Sequence, residues 1–360
     1  MYFLPFKEMT FFKVRYLLIS FILFFVSVLV FIISGLAHGL SMNNASSMIN
    51  MPADAFYLQK AADGRIDRSH FQVDMGNLAD KNEVQPLGIQ MGSISKLNSE
   101  NKLDVTYMAI DKGAFFAPKV VEGKNPGKTN SVLLDQSLKS EKIKVGSIIE
   151  DSRTGTKLTV SGFMKDQTFS HTPAAIVSFA TWDNLSGGAQ KGEYNAIVMN
   201  KDNKALKNQI GKLVKGGEWV QKDQVIKGIP GYSAEQNSLM MMLTFLIVIA
   251  VFVLAAFFYI MTIQKTAQFG ILKAIGTKSS FLVKSTIFQV MILTIINIAA
   301  AIGFTILFKA VLPSDIPFIF DLLQIAKFSG VLFLVSILGS LLSVFNIVKA
   351  DPIQAMGRIE

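Results

Sequence analysis

The chain contains no cysteine, so disulfide bonds, thiolate metal sites and cysteine nucleophiles are all excluded. It has only three histidines, His38, His70 and His171, and these are scattered without the regular spacing of metal ligands. Neither a disulfide-stabilised domain nor a zinc hydrolase is therefore expected.

Charge is also missing, from four long stretches that contain no Asp, Glu, Lys, Arg or His. They cover residues 16–37, 238–264, 285–308 and 328–348. Each is long enough for a helix that crosses a hydrocarbon layer of about 30 Å at about 1.5 Å per residue. The first is about twice as long as the core of a signal peptide, which favours a retained span over a cleaved one.

A polar block, residues 38–237, separates the first stretch from the second. Its short strand-like pieces, its turn signals and a helical pattern over 202–215 are typical of an α+β domain. The sequence therefore predicts an α-helical membrane protein with four transmembrane helices, arranged 1+3. A large α+β extracytoplasmic domain is expected between the first helix and the second.

Positive charge lies next to the spans and predicts their orientation. Three basic residues precede the first span, and four lysines with no acidic residue separate the second from the third. Those four are Lys265, Lys273, Lys278 and Lys284. Because positive residues favour the cytoplasmic side, residues 1–15, 265–284 and 349–360 are expected to be cytoplasmic, whereas the 309–327 loop is expected outside. This pattern explains the net charge of +9 without nucleic acid and indicates a multi-pass membrane protein.

No energy source is visible in the chain. The segment 123–129 ends in Gly-Lys-Thr, but only three residues separate its glycines where a phosphate loop has four, and Pro126 removes an amide donor. The spans carry no Asp, Glu, Lys or Arg, which weighs against an ion-driven transporter. We therefore expect energy from another subunit, received by the cytoplasmic segments, although these could instead be charged helix ends that only fix topology.

The 265–276 segment is expected to continue the second helix beyond the membrane and to stop at Gly276. Helical spacing places Ala267, Ile271, Ala274 and Ile275 on one face, with Phe269 and Leu272 on a second patch.

Four segments resemble the MacB/FtsX-type ABC transporter permeases. Residues 258–265 (FYIMTIQK) and 268–276 (QFGILKAIG) together resemble the signature of that family, in which a segment like 270–276 follows the second span and meets the ATPase. The tail 350–357 resembles the family's Asp-Pro-Ile-Glu-Ala ending, and 121–134 resembles part of its outer domain, where 123–129 would be a turn. Phe269 departs from the family pattern, because many members have Glu-Ile where this chain has Gln268-Phe269.

The resemblance implies a non-enzymatic transport subunit that has no nucleotide site or cofactor of its own. It implies a homodimer bound to two copies of a separate ATPase, which uses the ATP. The residues it assigns to ATPase coupling are Gln268, Phe269, Gly270, Leu272, Lys273, Gly276, Asp351 and Pro352. Residues 259–276 and 12–16 are most similar to a haem-exporting branch of the family, so haem is the expected substrate.

Haem iron accepts His, Met or Tyr, and several such residues lie near the expected outer ends of the spans or in the outer domain. The candidates are His38, Met42, His171, Tyr232, Met240 and Met241. Each has an ordinary alternative role: packing for Met, interfacial anchoring for Tyr and solvation for His. Two other functions stay open, namely export or release of peptides or lipoproteins, and signalling or scaffolding that activates an outside partner.

Overall fold

The computed structural model describes residues 10–349 apart from 73–81, 98, 100, 112, 128, 186–191 and 314–315, with side chains described as far as 341. The chain divides into two compact units. The helical unit lies within Met1–Gly39 and Asn237–Glu360, and the α+β unit is Leu40–Gln236.

Eight α-helices lie in the described residues. They are α1 (Lys13–Ile49), α2 (Phe179–Leu185), α3 (Lys204–Leu213), α4 (Lys222–Gly228), α5 (Tyr232–Gln264), α6 (Thr266–Ala274), α7 (Ser279–Val311) and α8 (Leu322–Lys349). Among the described residues, α1, α5, α7 and α8 are long and apolar enough to cross a membrane, so the predicted 1+3 arrangement is confirmed.

Each of these four helices is longer than the charge-free stretch that predicted it. The largest extension is in α1, which continues from residue 37 to Ile49 and is interrupted only at Ala45, where φ is −135° and ψ is 15°. Hydropathy does not detect this extension because residues 41–47 are mostly polar.

The helical unit is held by apolar contacts between all four long helices. Leu23, Leu254, Leu293 and Val335, one from each helix, are buried in a shared cluster. The connection after α7 packs closely on α1: the Ile319 N–H donates to the Gly35 carbonyl at 3.2 Å, and a Cβ on Gly39 would lie 2.0 Å from the Pro317 oxygen. Gly39 is therefore required where this loop crosses the helix.

The α+β unit is built on one large mixed sheet. The strands of the unit are β1 (Ala55–Gln59), β2 (Phe71–Gln72), β3 (Val84–Lys96), β4 (Lys102–Ala109), β5 (Val120–Gly123), β6 (Ser131–Asp135), β7 (Ile148–Asp151), β8 (Lys157–Met164), β9 (Thr168–Phe169), β10 (Thr172–Val177), β11 (Glu193–Tyr194), β12 (Ala196–Met199) and β13 (Gly217–Gln221). The order in the large sheet is β13-β1-β12-β3-β4-β10-β6-β8-β5, with β7 pairing with β3 and β8, and β9 pairing with β10, whereas β2 and β11 pair in a separate two-stranded sheet. This arrangement confirms an α+β domain between the first and second long helices.

The central strand β3 is the longest strand, yet its sequence does not read as one. Gly88 and Gly92 interrupt its apolar pattern. Glycine is needed at both positions because neighbouring side chains occupy the space that a Cβ would need. A Cβ on Gly88 would lie 3.1 Å from the Trp182 ring, and one on Gly92 would lie 2.8 Å from the Tyr107 ring.

The glycine-rich segment that resembles a phosphate loop belongs to the sheet. Gly123 ends β5 with φ of +80°, and a Cβ there would lie 2.4 Å from the Ser161 oxygen. The Lys124 N–H donates to the same oxygen at 2.9 Å. Strand pairing therefore uses the amide that a phosphate would need.

Candidate functional site

Polar side chains of α1, α5 and one hairpin meet within the α+β unit. The Tyr232 and Ser41 hydroxyls are 2.8 Å apart, and Asn44 Nδ2 donates to Glu235 Oε2 at 3.2 Å. His171 Nε2 lies 2.7 Å from Glu235 Oε1. Tyr232 and Glu235 are three residues apart, as are Ser41 and Asn44, so each pair lies on one helix face. We call these five residues the junction cluster.

His171 is presented by a strained turn. It follows Ser170 in the two-residue loop between β9 and β10, where φ is 50° at Ser170 and 63° at His171. Such turns favour Asn-Gly because a left-handed conformation costs other residues about 1–2 kcal/mol each. The hairpin is held against α1 by Thr168, whose hydroxyl is 2.7 Å from Ser46 Oγ and whose carbonyl accepts from Ser47 Oγ at 2.7 Å. Strain that is held in place by neighbouring contacts is typical of functional sites.

Two side chains contact one ring nitrogen of His171: Nε2 lies 2.7 Å from Glu235 Oε1 and 3.1 Å from Asn44 Nδ2. In the tautomer in which Nε2–H donates to Glu235, the Nδ1 atom carries a lone pair, and Nδ1 makes no hydrogen bond among the described residues. A carboxylate that fixes the opposite ring nitrogen is the usual arrangement behind a metal-binding histidine. Asn44 is fully buried, and its Oδ1 has no hydrogen-bond partner in the part of the chain that the structure describes.

The six predicted haem-binding residues fall into two groups. Met42, His171 and Tyr232 lie in the α+β unit, where the Met42 carbonyl accepts from Thr168 Oγ1 at 3.0 Å, close to the junction cluster. His38, Met240 and Met241 belong to the helical unit. His38 Nε2 lies 3.7 Å from Asp321 Oδ2, and both methionines are exposed on α5. The sequence analysis missed Asn44 and Glu235, although their three-residue spacing from Ser41 and Tyr232 could have indicated them.

The second helix does not continue through residue 265, so that expectation was wrong. α5 ends at Gln264 and α6 begins at Thr266. The Thr262 hydroxyl donates to the Phe258 carbonyl, and the Thr266 hydroxyl donates to the Thr262 carbonyl. Hydroxyls that bond back to the preceding turn bend helices, and here the bend accompanies burial of the Lys265 side chain.

Lys265 lies at this break, and its side chain is only 1% exposed. Its Nζ donates to the Tyr16 hydroxyl at 2.7 Å and to Gln289 Oε1 at 3.1 Å. The Tyr16 hydroxyl donates to Gln289 Oε1 at 2.9 Å. Residues of α1, of α7 and of the α5–α6 break thus surround one buried ammonium group, and we call them the Lys265 cluster.

The faces of α6 separate as its sequence pattern predicts. Phe269 is 4% exposed and packs with Leu272 against Leu282 of α7. Ile271 and Ile275 are exposed, Ile275 to 74%, and Gln268 is exposed beside them.

The end of α6 also agrees with the sequence. Gly276 has φ of +95°; its N–H donates to the Lys273 carbonyl, and the Thr277 N–H donates to the Leu272 carbonyl. These two bonds form a Schellman motif, which requires the left-handed conformation that glycine adopts easily. Of the remaining predicted coupling residues, Gly270 is buried within α6, whereas Asp351 and Pro352 lie outside the described residues.

Comparisons with known proteins concern nearly the whole chain. A model of the FtsX-like permease C-terminal family matches residues 240–352. A Staphylococcus haemolyticus protein, provisionally named hemin transport system permease protein HrtB, is 32% identical over 358 residues, covering 99% of each chain. A Staphylococcus epidermidis protein with the same provisional name is 31% identical over 98% of this chain and 99% of its own.

Two solved structures are similar to parts of the chain. One is the extracellular domain of the noncanonic ABC-type transporter YknZ from Gram-positive bacteria, at 13% identity and a TM-score of 0.34, covering 47% of this chain and 98% of that one. The other is a domain of a permease protein from Porphyromonas gingivalis, at 10% identity and a TM-score of 0.30, covering 49% and 90%. Both scores are too low to support an inference.

Replacing Gln289 tests the Lys265 cluster. Gln289→Leu removes the side-chain oxygen that accepts from both Lys265 Nζ and the Tyr16 hydroxyl, and a buried donor left without an acceptor costs roughly 1–3 kcal/mol. We expect a clearly lower unfolding temperature for the purified protein in lipid discs. Gln264→Leu is the matched control, because Gln264 is exposed at the end of α5 and its variant should unfold as the unsubstituted protein does. Equal unfolding temperatures for the two variants would contradict a stabilising role for the cluster.

Proposed function

Because this chain belongs to the FtsX-like permeases of ABC transporters, alongside the HrtB proteins, we propose that it is the permease subunit of an exporter that removes haem from the cell membrane. The observation that carries the proposal is the 31–32% identity to two HrtB proteins over 98–99% of this chain. Similarity over both units favours a shared substrate more than similarity confined to the C-terminal domain would.

In this proposal the chain supplies the membrane path and a separate ATPase supplies the energy. Two copies of the chain pair with two ATPase subunits, as is usual for permeases of this type. The basic residues beside the spans favour cytoplasmic termini, which would put α6 and the 350–357 tail on the side of the ATPase. Asp351 and Pro352 of the tail would assist α6 in that contact.

Haem would bind near the junction cluster. Glu235 holds His171 Nε2 and leaves Nδ1 as a potential iron ligand, while Met42 and Tyr232 lie on the two helices beside it. His38, Met240 and Met241 of the helical unit would contact the porphyrin body separately, while haem is still in the bilayer. A flat apolar ring with a ligand-accepting iron suits this mixture of Met, Tyr and His side chains.

The ATPase would dock on the exposed face of α6, formed by Gln268, Ile271 and Ile275. The opposite face, with Phe269, Gly270 and Leu272, fixes α6 to α7. Lys273 and Gly276 would act at the C-terminal end, where the Schellman motif sets the direction of the chain into α7.

Movement of α6 would reach haem through the Lys265 cluster. The cluster joins the α5–α6 break to α1 and α7. A shift of α6 therefore either moves α1 as well or breaks hydrogen bonds to the buried Lys265 side chain. α1 and α5 both run on to the residues of the junction cluster. ATP-driven closure would therefore change the surroundings of His171.

Haem should stimulate ATP hydrolysis by the permease–ATPase complex in lipid discs. We expect saturable stimulation by haem and a weaker response to iron-free protoporphyrin, because only haem offers a ligand site to His171. His171→Ala should weaken haem binding by about tenfold or more, measured from the Soret band. The matched control is His70→Ala, since His70 likewise pairs with a glutamate, Glu193, in the α+β unit.

Two outcomes would contradict the haem proposal. A complex that hydrolyses ATP but responds to neither compound would favour peptide or lipoprotein export, or activation of an outside partner. If His171→Ala and His70→Ala weaken haem binding equally, His171 is not the specific iron ligand.

The α6 surface can be tested separately by co-purification of the ATPase. Ile275→Asp places a charge in the proposed contact, so we expect at least a tenfold weaker association without loss of the fold. Ile148→Asp changes an exposed isoleucine of β7 in the same way and should leave association unchanged. Undiminished association of the Ile275→Asp variant would exclude this face as the docking surface.

A further inference from the structure

The α+β unit contains a cavity that the proposed function does not use. Its volume is about 630 Å³, within the range of about 300–1,000 Å³ that is usual for small-molecule sites. Three segments form its walls: the end of α1 at residues 47–52, the segment 116–121, and residues 165 and 167 before β9.

The walls are held together by hydrogen bonds rather than by loose loops. Asn50 Nδ2 donates to the Asp166 carbonyl at 3.0 Å, and Ser47 Oγ donates to the Thr168 carbonyl at 2.7 Å. Both bonds join the end of α1 to the residues around the 165–168 turn. The cavity therefore does not have to be assembled by its ligand, which reduces the entropic cost of binding.

The charge in the cavity has one sign. Two lysines, Lys119 and Lys165, line it, and no acidic residue does within the described part of the chain. Lys165 lies 3.7 Å from the Asp166 carboxylate, but both side chains are more than half exposed, so this pair is weak. Lys119 has no ion-pair partner among the described residues, and the nearby Glu122 is paired with Lys139.

The rest of the lining is mainly apolar. Met51 and Phe116 are buried at the cavity, and Pro52, Pro118 and Val121 add to its surface. A ligand that matches such a lining has an apolar body and carboxylates that reach the two lysines. Burying the body removes apolar surface from water, and the ammonium groups select against neutral compounds of the same shape.

We infer that this cavity binds an amphipathic carboxylic acid, with the carboxylates at Lys119 and Lys165 and the apolar body against Met51 and Phe116. That the acid is a tetrapyrrole with propionates rests on the proposed function. That it carries carboxylates rests on the two lysines of the cavity and not on the proposed function. Because the cavity shares the 165–168 segment with the hairpin that presents His171, the acid would be held beside the junction cluster.

The test uses the permease–ATPase complex in discs of neutral lipid, with empty discs as background. Iron-free protoporphyrin and its dimethyl ester are titrated by porphyrin fluorescence, so that iron ligation plays no part. We expect the Lys119→Glu/Lys165→Glu variant to bind the free acid at least tenfold more weakly than the unsubstituted protein. The ester should bind poorly to both. The control is Lys212→Glu/Lys215→Glu, an equal charge change at exposed positions outside the cavity.

Equal affinity of the two double variants for the free acid, or tight binding of the ester, would overturn the inference. A parallel titration with oleate distinguishes the source of the carboxylate. Lysine-dependent binding of oleate alone would support the carboxylate site and overturn the tetrapyrrole assignment. If haem stimulates ATP hydrolysis but the lysine substitutions do not weaken binding of the acid, only the inference about the cavity is overturned. If binding of the acid depends on the lysines but haem does not stimulate ATP hydrolysis, only the proposal of haem export is overturned.

Discussion

The buried side-chain amine of Lys265 is the constraint on which the helical unit depends. A buried donor that loses its acceptor costs about 1–3 kcal/mol, so its hydrogen-bond partners must stay in place. Those partners, Tyr16 and Gln289, come from α1 and α7, while Lys265 itself separates α5 from α6. One buried polar side chain thus joins α1, α7 and the α5–α6 break at the point where the chain leaves its longest apolar stretch.

The same two helices, α1 and α5, carry polar contacts in both units. Tyr16 and Lys265 belong to one cluster, and the other contains Ser41 and Asn44 together with Tyr232 and Glu235. Between them, the contacts of α1 and α5 in the helical unit are mostly apolar and therefore non-directional. His171, held in a left-handed conformation by its hairpin, contacts Glu235 in the second of these clusters.

Sequence reasoning succeeded where one physical signal dominates. Charge-free stretches identified the four long helices because membrane insertion constrains many adjacent residues, and the 258–276 motif identified the family. The faces of α6 followed from helical spacing alone. Gly276 was correctly predicted to end that helix, since few residues other than glycine tolerate its φ.

The failures concern residues whose role depends on partners far away in the chain. Lys265 reads as one more basic residue beside a span until Tyr16 and Gln289 are seen around it, 249 and 24 residues away. Asn44 and Glu235 are separated by 191 residues, and the three-residue spacing of each from Ser41 or Tyr232 is a weak signal until the partner far away in the chain is known. β3 escaped detection because Gly88 and Gly92 make room for Trp182 and Tyr107, which no local pattern reveals.

The most direct test of the account is haem transport by the reconstituted complex in sealed vesicles with the ATPase facing outward. Haem that reaches the lumen is trapped by an enclosed apo-haemoprotein and followed by its Soret absorption. The account predicts lumenal haem that depends on ATP and is sharply reduced by Lys265→Met but not by Lys284→Met. ATP hydrolysis with no ATP-dependent haem in the lumen would contradict it.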